Sequence, residues 1–269
     1  MDEVYREEVY HQAVEWVLEA GRTIRNHMND PLTIDTKSNA NDLVTTMDKD
    51  TEAFFASRIK KKYPEHFILS EEGFGDEIRT MAGTVWIIDP IDGTMNFVHQ
   101  KRNFAISIGI YHDNIGEIGL IYNVMDDILY SAKRGKGAYK GETRLPLLNQ
   151  DVRFNEAIIG LNHFWLCKNR LVDETIMQQL VRDIRGTRTY GSAALEFAYV
   201  AEGILDGYLT LSLSPWDIAA GMVIVNEVGG VTSTIDGDKI NMLDKNSVFT
   251  CNPQIQQNIL EDYVRKARK

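Results

Sequence analysis

Two aspartates stand three residues apart in the segment Trp86–Phe97, whose sequence is WIIDPIDGTMNF. The apolar residues before Asp89 predict a buried strand, and the proline and glycine that follow predict a turn where this strand ends. Such a rigid turn would hold the carboxylates of Asp89 and Asp92 together, as a hard divalent cation requires. Asp and Gly are also ordinary turn residues, so a bare Asp-x-x-Asp-Gly indicates a metal site and a plain turn about equally.

Three more carboxylates stand at the ends of other predicted elements. Glu71 follows a short apolar strand pattern, and Asp48 falls in the first turn of a predicted helix. Asp217 is the third helical residue after Ser214. Taken alone, Asp48 is more typical of a carboxylate that favours the helix dipole, and Asp217 of a capping box with Ser214. None of the six histidines has metal-motif spacing, and carboxylate ligands alone favour Mg²⁺ or Mn²⁺ over Zn²⁺.

The elements that position these side chains change in kind along the chain. Helical periodicity over residues 3–29 and 46–62 predicts two helices at the start. Short β-like runs follow, at 66–70, 84–89, 104–111, 117–123 and 127–132. The glycine-rich segment 135–141 is interpreted as a hairpin turn, because its spacing does not fit a nucleotide-binding loop.

The second half of the chain alternates strands and helices. Strands are predicted at 156–161 and 206–211, and helices at 171–183, 191–203, from Pro215 onward and at 253–268. Helices, then strands, then alternation indicate a layered α/β or α+β protein. Residues 146–155 are the predicted boundary between an N-terminal half, 1–145, with most of the acidic candidates, and a C-terminal half, 146–269, with Asp217.

Length and charge limit the classes of function that this chain can have. The chain has 269 residues, and 39 acidic against 29 basic residues give a formal net charge of −10, which argues against nucleic-acid binding. The polar start does not fit a signal peptide, and no apolar run approaches the roughly 20 residues that cross a bilayer. Cys167 and Cys251 form no Cys-x-x-Cys motif, so reduced thiols are expected rather than a disulfide. We therefore expect a cytoplasmic protein that binds neither nucleic acid nor membrane.

Four segments together resemble the inositol monophosphatase family, whose members are magnesium-dependent, lithium-sensitive sugar and inositol phosphatases. The segments stand in the family's order and approximate spacing, and they are Asn41–Asp48 (NDLVTTMD), Ser70–Gly73 (SEEG), Trp86–Phe97 and Pro215–Gly221 (PWDIAAG). The resemblance covers nearly the whole chain. It implies a five-layered α-β-α-β-α sandwich, an active site between the two halves, and a homodimer.

The resemblance assigns the acidic residues to two or three Mg²⁺ ions, for which Mn²⁺ could substitute. Glu71, Asp89 and the carbonyl of Ile91 would hold the first ion. Asp89, Asp92 and Asp217 would hold the second, and a weaker third ion would bind near Glu71 through water. The implied reaction is metal-assisted hydrolysis of a phosphate monoester without a covalent intermediate. The chain contains no serine-hydrolase, Walker or cysteine-phosphatase motif that would supply another mechanism.

The same resemblance gives roles to residues that bind water or substrate. Thr94 would hold the attacking water, with Asp48 behind it and Glu71 also in the catalytic set, although Thr94 alone is more typical of a helix cap. Substrate contacts would come from Lys37, Asp92, Gly93, Thr94, Gly191, Ser192, Ala193 and Asp217. Among these, the backbone N–H groups at 93–94 and the helix start at 191–192 would face the phosphate and the substrate. A lone loop lysine such as Lys37 is more often simply solvated.

One position departs from the family pattern. Inositol-specific members carry a glutamate seven residues before the aspartate that matches Asp217, where it binds substrate hydroxyls, whereas this chain has Thr210. Inositol 1-phosphate is the leading substrate, and the threonine favours broader specificity. An NADP(H) 2′-phosphatase and a fructose-1,6-bisphosphatase stay open as alternatives. The alternative outside enzymes is a metal or phosphate sensor on the same fold, which would be free to lose the metal carboxylates that this chain retains.

Overall fold

The computed structural model describes residues 1–31, 33–36 and 43–269. The helices in these ranges are α1 (Glu3–His27), α2 (Thr46–Lys62), α3 (Thr94–Gln100), α4 (Glu174–Asp183), α5 (Ala193–Glu202), α6 (Pro215–Glu227), α7 (Pro253–Ile259) and α8 (Arg265–Ala267). The strands are β1 (Ile34–Thr36), β2 (Leu43–Thr45), β3 (Phe67–Ser70), β4 (Thr84–Asp92), β5 (Ala105–His112), β6 (Ile115–Asn123), β7 (Ile128–Lys133), β8 (Ala138–Lys140), β9 (Thr143–Arg144), β10 (Ile158–Leu161), β11 (Gly186–Arg188), β12 (Gly207–Leu213), β13 (Val231–Ser233) and β14 (Asn246–Cys251).

Two large sheets divide most of these strands between them. The first has seven strands in the order β3-β4-β5-β6-β7-β8-β9, with β3 parallel to β4 and the remaining neighbours antiparallel. The second has five strands in the order β11-β10-β12-β14-β13, with β10 parallel to both of its neighbours. The first sheet ends at Arg144 and the second begins at Ile158. Helices of the second half pack directly on the first sheet, so the two halves share a core. Their division at 1–145 and 146–269 therefore stays a prediction.

Helices cover both faces of each sheet, because successive residues of a strand point to opposite sides. On β4, Trp86 and Ile88 belong to the core that α1 and α2 form with the first sheet, and Val85 and Ile87 to the core formed with α5 and α6. α5 and α6 also contact the second sheet, whose other face is covered by α4 and α7. The layers are therefore α-β-α-β-α, and the predicted fold class is confirmed.

The packing of α6 on the first sheet depends on a glycine. A Cβ at Gly109 on β5 would lie 2.6 Å from the Cβ of Ala219, closer than real carbon atoms approach. Any larger residue at 109 would therefore push the helix outward. The Ser107 hydroxyl also donates to the Trp216 carbonyl at 3.2 Å. These contacts fix the first turn of α6, which carries Asp217, against the first sheet.

The signature segment differs from its predicted structure. The sequence predicts a strand that ends at Asp89, but β4 continues to Asp92 through a bulge, in which one extra residue of β4 stands opposite β5. The unpredicted short helix α3 begins at Thr94, directly after Gly93. The prediction stopped too early because proline and glycine were taken to end the pairing, whereas the bulge allows it to resume.

Other elements follow the predictions with small shifts. The helix predicted over 171–183 begins at Glu174, because the Asp173 carboxylate caps it by accepting from the Thr175 N–H at 2.8 Å. The predicted C-terminal helix contains a π-helical turn, Leu260–Val264, between α7 and α8. The glycine-rich segment 135–141 forms the turns that link β7, β8 and β9, which confirms the hairpin prediction.

Both cysteines lie in described parts of the chain. Cys167 is exposed and Cys251 is buried on β14, and both thiols are free. Across the described ranges, the helices are too short or too polar to span a bilayer.

Candidate metal and phosphate site

The pairing of β3 with β4 brings acidic residues to one edge of the first sheet. Ser70, the last residue of β3, pairs with Ile88 in parallel register, so Glu71, just after β3, and Asp89, still on β4, lie at the same end of the sheet. The bulge then turns Asp92 toward the second half of the molecule. The side chains of Asp89 and Asp92 are buried, and the two residues are 2 % and 6 % exposed.

Asp217 joins this edge from the first turn of α6. The Ser214 N–H donates to Asp217 Oδ2 at 2.7 Å and completes a capping box, so the capping role predicted for Asp217 alone is present. The same side chain also meets the first half. Carboxylate oxygens from Asp89, Asp92 and Asp217 all lie within 4.8 Å of one another. Capping and metal binding are therefore compatible for this residue.

The three aspartates and Glu71 line a cleft of about 210 Å³, whose other walls include Ile91, Gly93, Thr94 and Gly191. Burial, and then the neighbouring carboxylates, hold the pKa of Asp89 and that of Asp217 well above the usual range. Burial also raises the pKa of Asp92 to about 6, although hydrogen bonds from Ser192 and Ala194 oppose the increase. Crowded carboxylates of this kind favour a bound divalent cation, which offsets their repulsion.

Asp92 also caps a helix of the second half. The Ala194 N–H donates to Asp92 Oδ2 at 2.9 Å, the Ser192 hydroxyl donates to the same oxygen, and the Ala193 N–H donates to Oδ1 at 3.3 Å. Ser192 is the N-cap of α5, which begins just after Gly191 as the sequence predicts. One carboxylate of the signature turn thus joins the acidic cleft to the start of α5.

Two glycines with positive φ allow the halves to meet closely. Gly93 has φ 92°, and a Cβ there would lie 3.1 Å from the Gly191 carbonyl oxygen. Gly191 has φ 77°, and a Cβ there would lie 3.0 Å from Asn96 Nδ2. The Asn96 amide also donates to the Tyr190 carbonyl at 2.7 Å and so fixes the segment that leads into α5. Sequence reasoning did not single out Asn96, although it lies in the signature segment.

Thr94 and Asp48 are in contact at the opposite side of the turn. The Thr94 hydroxyl donates to Asp48 Oδ1 at 3.1 Å, with the Ile91 carbonyl as a second acceptor at 3.1 Å, so its single proton serves one of them at a time. Asp48 Oδ2 accepts from the Thr45 N–H at 2.8 Å in the capping box of α2. Burial raises the pKa of Asp48, against the effect of these hydrogen bonds. Thr94 is not the cap of α3, which is Gly93.

Glu52 is a buried carboxylate that sequence reasoning missed. It lies on α2, is 0 % exposed, and accepts from the Ser70 hydroxyl and the Phe74 N–H through Oε1, each at 2.7 Å. Its Oε2 accepts from the Glu72 N–H at 2.6 Å. These three bonds hold the loop that carries Glu71. The sequence did hold a signal for Glu52, because it lies four residues after Asp48, and residues four apart share one face of a helix.

Part of the predicted site lies outside the described residues. Lys37, together with Asn41 and Asp42 of the first matching segment, falls in the range 37–42, and their roles stay predictions. Thr210 is described and is 5 % exposed. It lines a second cavity, of about 290 Å³, that adjoins the acidic cleft and shares Asp92, Gly191 and Asp217 with it.

A layered α-β-α-β-α fold with buried carboxylates between its halves defines the class of metal-dependent phosphomonoesterases. Within this class, the chain belongs to the inositol monophosphatase family, whose model matches residues 5–268.

Known proteins of this family are similar to the chain over nearly its full length. The inositol-1-monophosphatase of Bacillus subtilis (strain 168) is 54 % identical over 96 % of each chain. Two solved structures of the staphylococcal SaIMPase-II are also similar. The structure with inositol monophosphate is 44 % identical, with a TM-score of 0.86 over 96 % of this chain and 94 % of that one. The structure with 2′AMP is 45 % identical, with a TM-score of 0.88 over 96 % and 95 %.

Proposed function

We propose that this chain is a Mg²⁺-dependent phosphomonoesterase that hydrolyses inositol 1-phosphate to inositol and phosphate. The observation that carries the proposal is the convergence of Asp89, Asp92 and Asp217, whose oxygens lie within 4.8 Å of one another although they come from both halves. Family membership supports the reaction. The name of the Bacillus relative and the inositol monophosphate bound to SaIMPase-II support the substrate.

The proposed metal ligands form two overlapping sets. Glu71, Asp89 and the Ile91 carbonyl hold one ion, and Asp89, Asp92 and Asp217 hold a second, with a weaker third ion near Glu71 through water. The donor set fits Mg²⁺, because every donor is an oxygen, and Mn²⁺ fits the same ligands. When bound, the metal supplies an activated water and screens the charge of the phosphate.

The remaining residues of the cleft position the reactants. The Thr94 hydroxyl donates a hydrogen bond to Asp48, which leaves its oxygen lone pairs available to accept a hydrogen bond from the attacking water. The backbone N–H groups of Gly93 and Thr94 bind the phosphate. Substrate contacts on the side of the second half come from the start of α5, namely Gly191, Ser192 and Ala193. In this assignment Glu71 completes the catalytic set.

Hydrolysis of a 2′-phosphorylated nucleotide is the second candidate activity. Thr210 leaves the adjoining cavity without a glutamate at that position, and SaIMPase-II was solved with 2′AMP. An NADP(H) 2′-phosphatase would use the same acidic cleft with a larger leaving group. No contact among the described residues favours fructose 1,6-bisphosphate over these. The retained aspartates and Thr94 argue against a non-catalytic sensor.

The family resemblance also leads us to propose a homodimer that works in the cytoplasm. Light scattering coupled to gel filtration of the purified protein tests the first point, with a mass near twice 30.6 kDa expected. Fractionation of the native cells tests the second.

A phosphate-release assay over a substrate panel tests the activity. The panel contains inositol 1-phosphate, 2′-AMP, NADP and fructose 1,6-bisphosphate, each with Mg²⁺, with Mn²⁺ and with excess EDTA. We expect inositol 1-phosphate to have the highest kcat/KM, EDTA to abolish release, and Li⁺ to inhibit it. Release that survives exhaustive chelation would contradict the metal mechanism, and an absence of release from every compound would favour the sensor.

A further inference from the structure

The second cavity lies where the leaving group of a phosphate ester would extend from the acidic cleft. The two spaces share Asp92, Gly191 and Asp217 as walls. Trp165 lines the second cavity but does not line the cleft. A phosphate bound in the cleft would therefore bring its leaving group, and not the phosphate itself, beside Trp165.

Trp165 is anchored to the second half of the molecule. It lies in a 3₁₀-helix, His163–Leu166, that follows β10. Its side chain packs against the core that the second sheet forms with α4 and α7. The Gln178 side chain of α4 also donates to the Leu166 carbonyl at 2.8 Å. The position of this residue is thus set by the fold before any ligand binds, which lowers the entropy cost of binding.

The surface that Trp165 can offer to a ligand is apolar. The residue is partly exposed, whereas its indole nitrogen is buried and has no hydrogen-bond partner among the described residues. The reachable part of the side chain is therefore carbon surface of the ring. Tyr208, the other aromatic residue among the described residues that line the cavity, is only 7 % exposed and packs against Phe197. Trp165 is thus the more accessible aromatic surface of this cavity.

We propose that Trp165 is a specificity residue that stacks against the base of a 2′-phosphorylated nucleotide. Every nucleobase has a π-face that stacks on an aromatic side chain, whereas the hydroxyl groups of a polyol need hydrogen-bond partners, which the Trp165 ring does not supply. This inference rests on the second candidate activity of the proposed function, because the base enters the cavity only if its phosphate occupies the cleft. Inositol 1-phosphate would use the cleft without depending on Trp165.

Two substrates that differ only in the base test this role. 2′-AMP carries adenine, and methyl β-ribofuranoside 2-phosphate has the same sugar and phosphate with a methyl group in place of the base. We expect Trp165→Leu to lower kcat/KM about tenfold or more on 2′-AMP, mainly through KM, and by less than about twofold on the methyl riboside. Activity on the methyl riboside and on inositol 1-phosphate also reports that the variant is folded.

Two further variants serve as controls. Trp165→Phe keeps an aromatic face and should retain most of the preference for 2′-AMP. Phe164→Leu removes the neighbouring aromatic residue, which is 56 % exposed and does not line the cavity, and should leave the preference unchanged. Equal losses of Trp165→Leu on 2′-AMP and the methyl riboside, or no loss on either, would overturn the role of Trp165.

Tryptophan fluorescence gives a readout that does not depend on turnover. Stacking of a base on an indole ring quenches its emission, so rapid mixing with 2′-AMP should quench the unsubstituted protein, and Trp165→Phe should lose this quenching. Quenching that persists in Trp165→Phe would contradict the contact. A protein that hydrolyses inositol 1-phosphate but not 2′-AMP would overturn the role of Trp165 alone. A protein that hydrolyses neither compound would overturn the proposed function, and the role of Trp165 with it.

Discussion

Asp92 and Thr94 are two positions apart, yet their side chains contact different groups, and we expect them to have different roles. Asp92 faces the other aspartates and the start of α5, whereas the Thr94 hydroxyl faces Asp48. The glycine between them turns the backbone in a left-handed conformation and so separates the two side chains. A ligand change and a hydroxyl change at this turn should therefore have distinct effects.

Asp92→Asn keeps the shape of the side chain but removes a negative charge from the proposed ligand set of the second metal. We expect weaker binding of the second Mg²⁺ and low activity that partly recovers at very high Mg²⁺. Thr94→Ala leaves every carboxylate in place and removes the hydroxyl that we propose positions the attacking water. Its kcat should fall about 10²–10⁴-fold, and extra Mg²⁺ should not restore it. Calorimetric Mg²⁺ titrations of both variants check the distinction, which fails if Thr94→Ala loses metal binding as severely as Asp92→Asn.

At the scale of elements, α2 contributes to the site in two ways. Its first turn presents Asp48 to Thr94, and one turn later Glu52 holds the loop after β3. The second contribution is indirect, because Glu52 bonds the neighbours of Glu71. The geometry of a proposed metal ligand thus depends on a helix that is remote from it in sequence.

Glu52→Gln tests this dependence. Glutamine can still accept through one oxygen, but its amide nitrogen would face the Glu72 N–H, and two donors repel each other. We expect Mg²⁺ affinity to fall about 10–100-fold, as for other residues that orient metal ligands. Calorimetric titration measures the change, and Asp50→Asn, on the exposed side of α2, is the control. Unchanged affinity in Glu52→Gln would show that the loop holds its position without these bonds.

The contact of α6 with β5 positions Asp217. Gly109→Ala places a Cβ 2.6 Å from that of Ala219 and 2.8 Å from its carbonyl carbon, so the helix must move away from the sheet. Overpacking of this kind lowers the free energy of unfolding by about 1–3 kcal/mol, and Mg²⁺ affinity should fall with it. Urea denaturation measures the first effect. Gly186→Ala is a matched strand control, because its nearest neighbour would be 3.6 Å away, and equal stabilities of the two variants would contradict the packing argument.

At the scale of the whole molecule, buried titratable groups give the metal-free protein an unusual dependence on pH. The pKa of Glu196 is raised to about 7 and that of Asp92 to about 6, so the folded state binds protons that the unfolded state has lost. Stability therefore decreases as pH rises from about 4 to 8. For a carboxyl like that of Glu196, the effect is on the order of 3 kcal/mol.

A buried histidine acts in the opposite direction at lower pH. His66 accepts from Trp86 Nε1 at 2.9 Å, and burial lowers its pKa to about 4. Folding thus excludes a proton that the unfolded chain would bind below about pH 6.5, so stability decreases as pH falls from there to 4. Between pH 8 and 6.5 the effect of the carboxyl groups is the larger one, because the unfolded histidine is at most half protonated there. In this window we expect the EDTA-treated protein to become more stable as pH falls.

Mg²⁺ should remove the part of this dependence that comes from Asp92, because it binds that carboxylate in its ionised form, and should leave the part that comes from Glu196, which lies outside the proposed ligand set. At 100 times its dissociation constant, one bound ion adds about 2.7 kcal/mol to the free energy of unfolding. Urea denaturation at pH 8 and at pH 6.5, each with EDTA and with saturating Mg²⁺, gives the four free energies of unfolding that this comparison requires. A metal-free protein that is more stable at pH 8 than at pH 6.5 would contradict the prediction.

Local patterns in the sequence determined the layered fold and the main acidic candidates. The apolar run before Asp89, the cap and proline that begin α6, and the periodicity of α1 and α2 each depend on neighbours a few residues away. Such signals survive in a single sequence because they reflect backbone preferences and the burial of one face. The resemblance to the family then linked Asp89, Asp92 and Asp217 to one metal site.

Contacts between distant segments were decided only by the tertiary structure. The bulge that carries β4 on to Asp92 depends on pairing with β5, and the role of Glu52 depends on a loop that follows another strand. Glu196 was inconspicuous in the sequence, because a glutamate in the first turn of a helix is common. Its unpaired oxygen appears only where α5 meets Gly160 of β10. Burial and hydrogen-bond satisfaction depend on what surrounds a group in space, and no local pattern of residues records that.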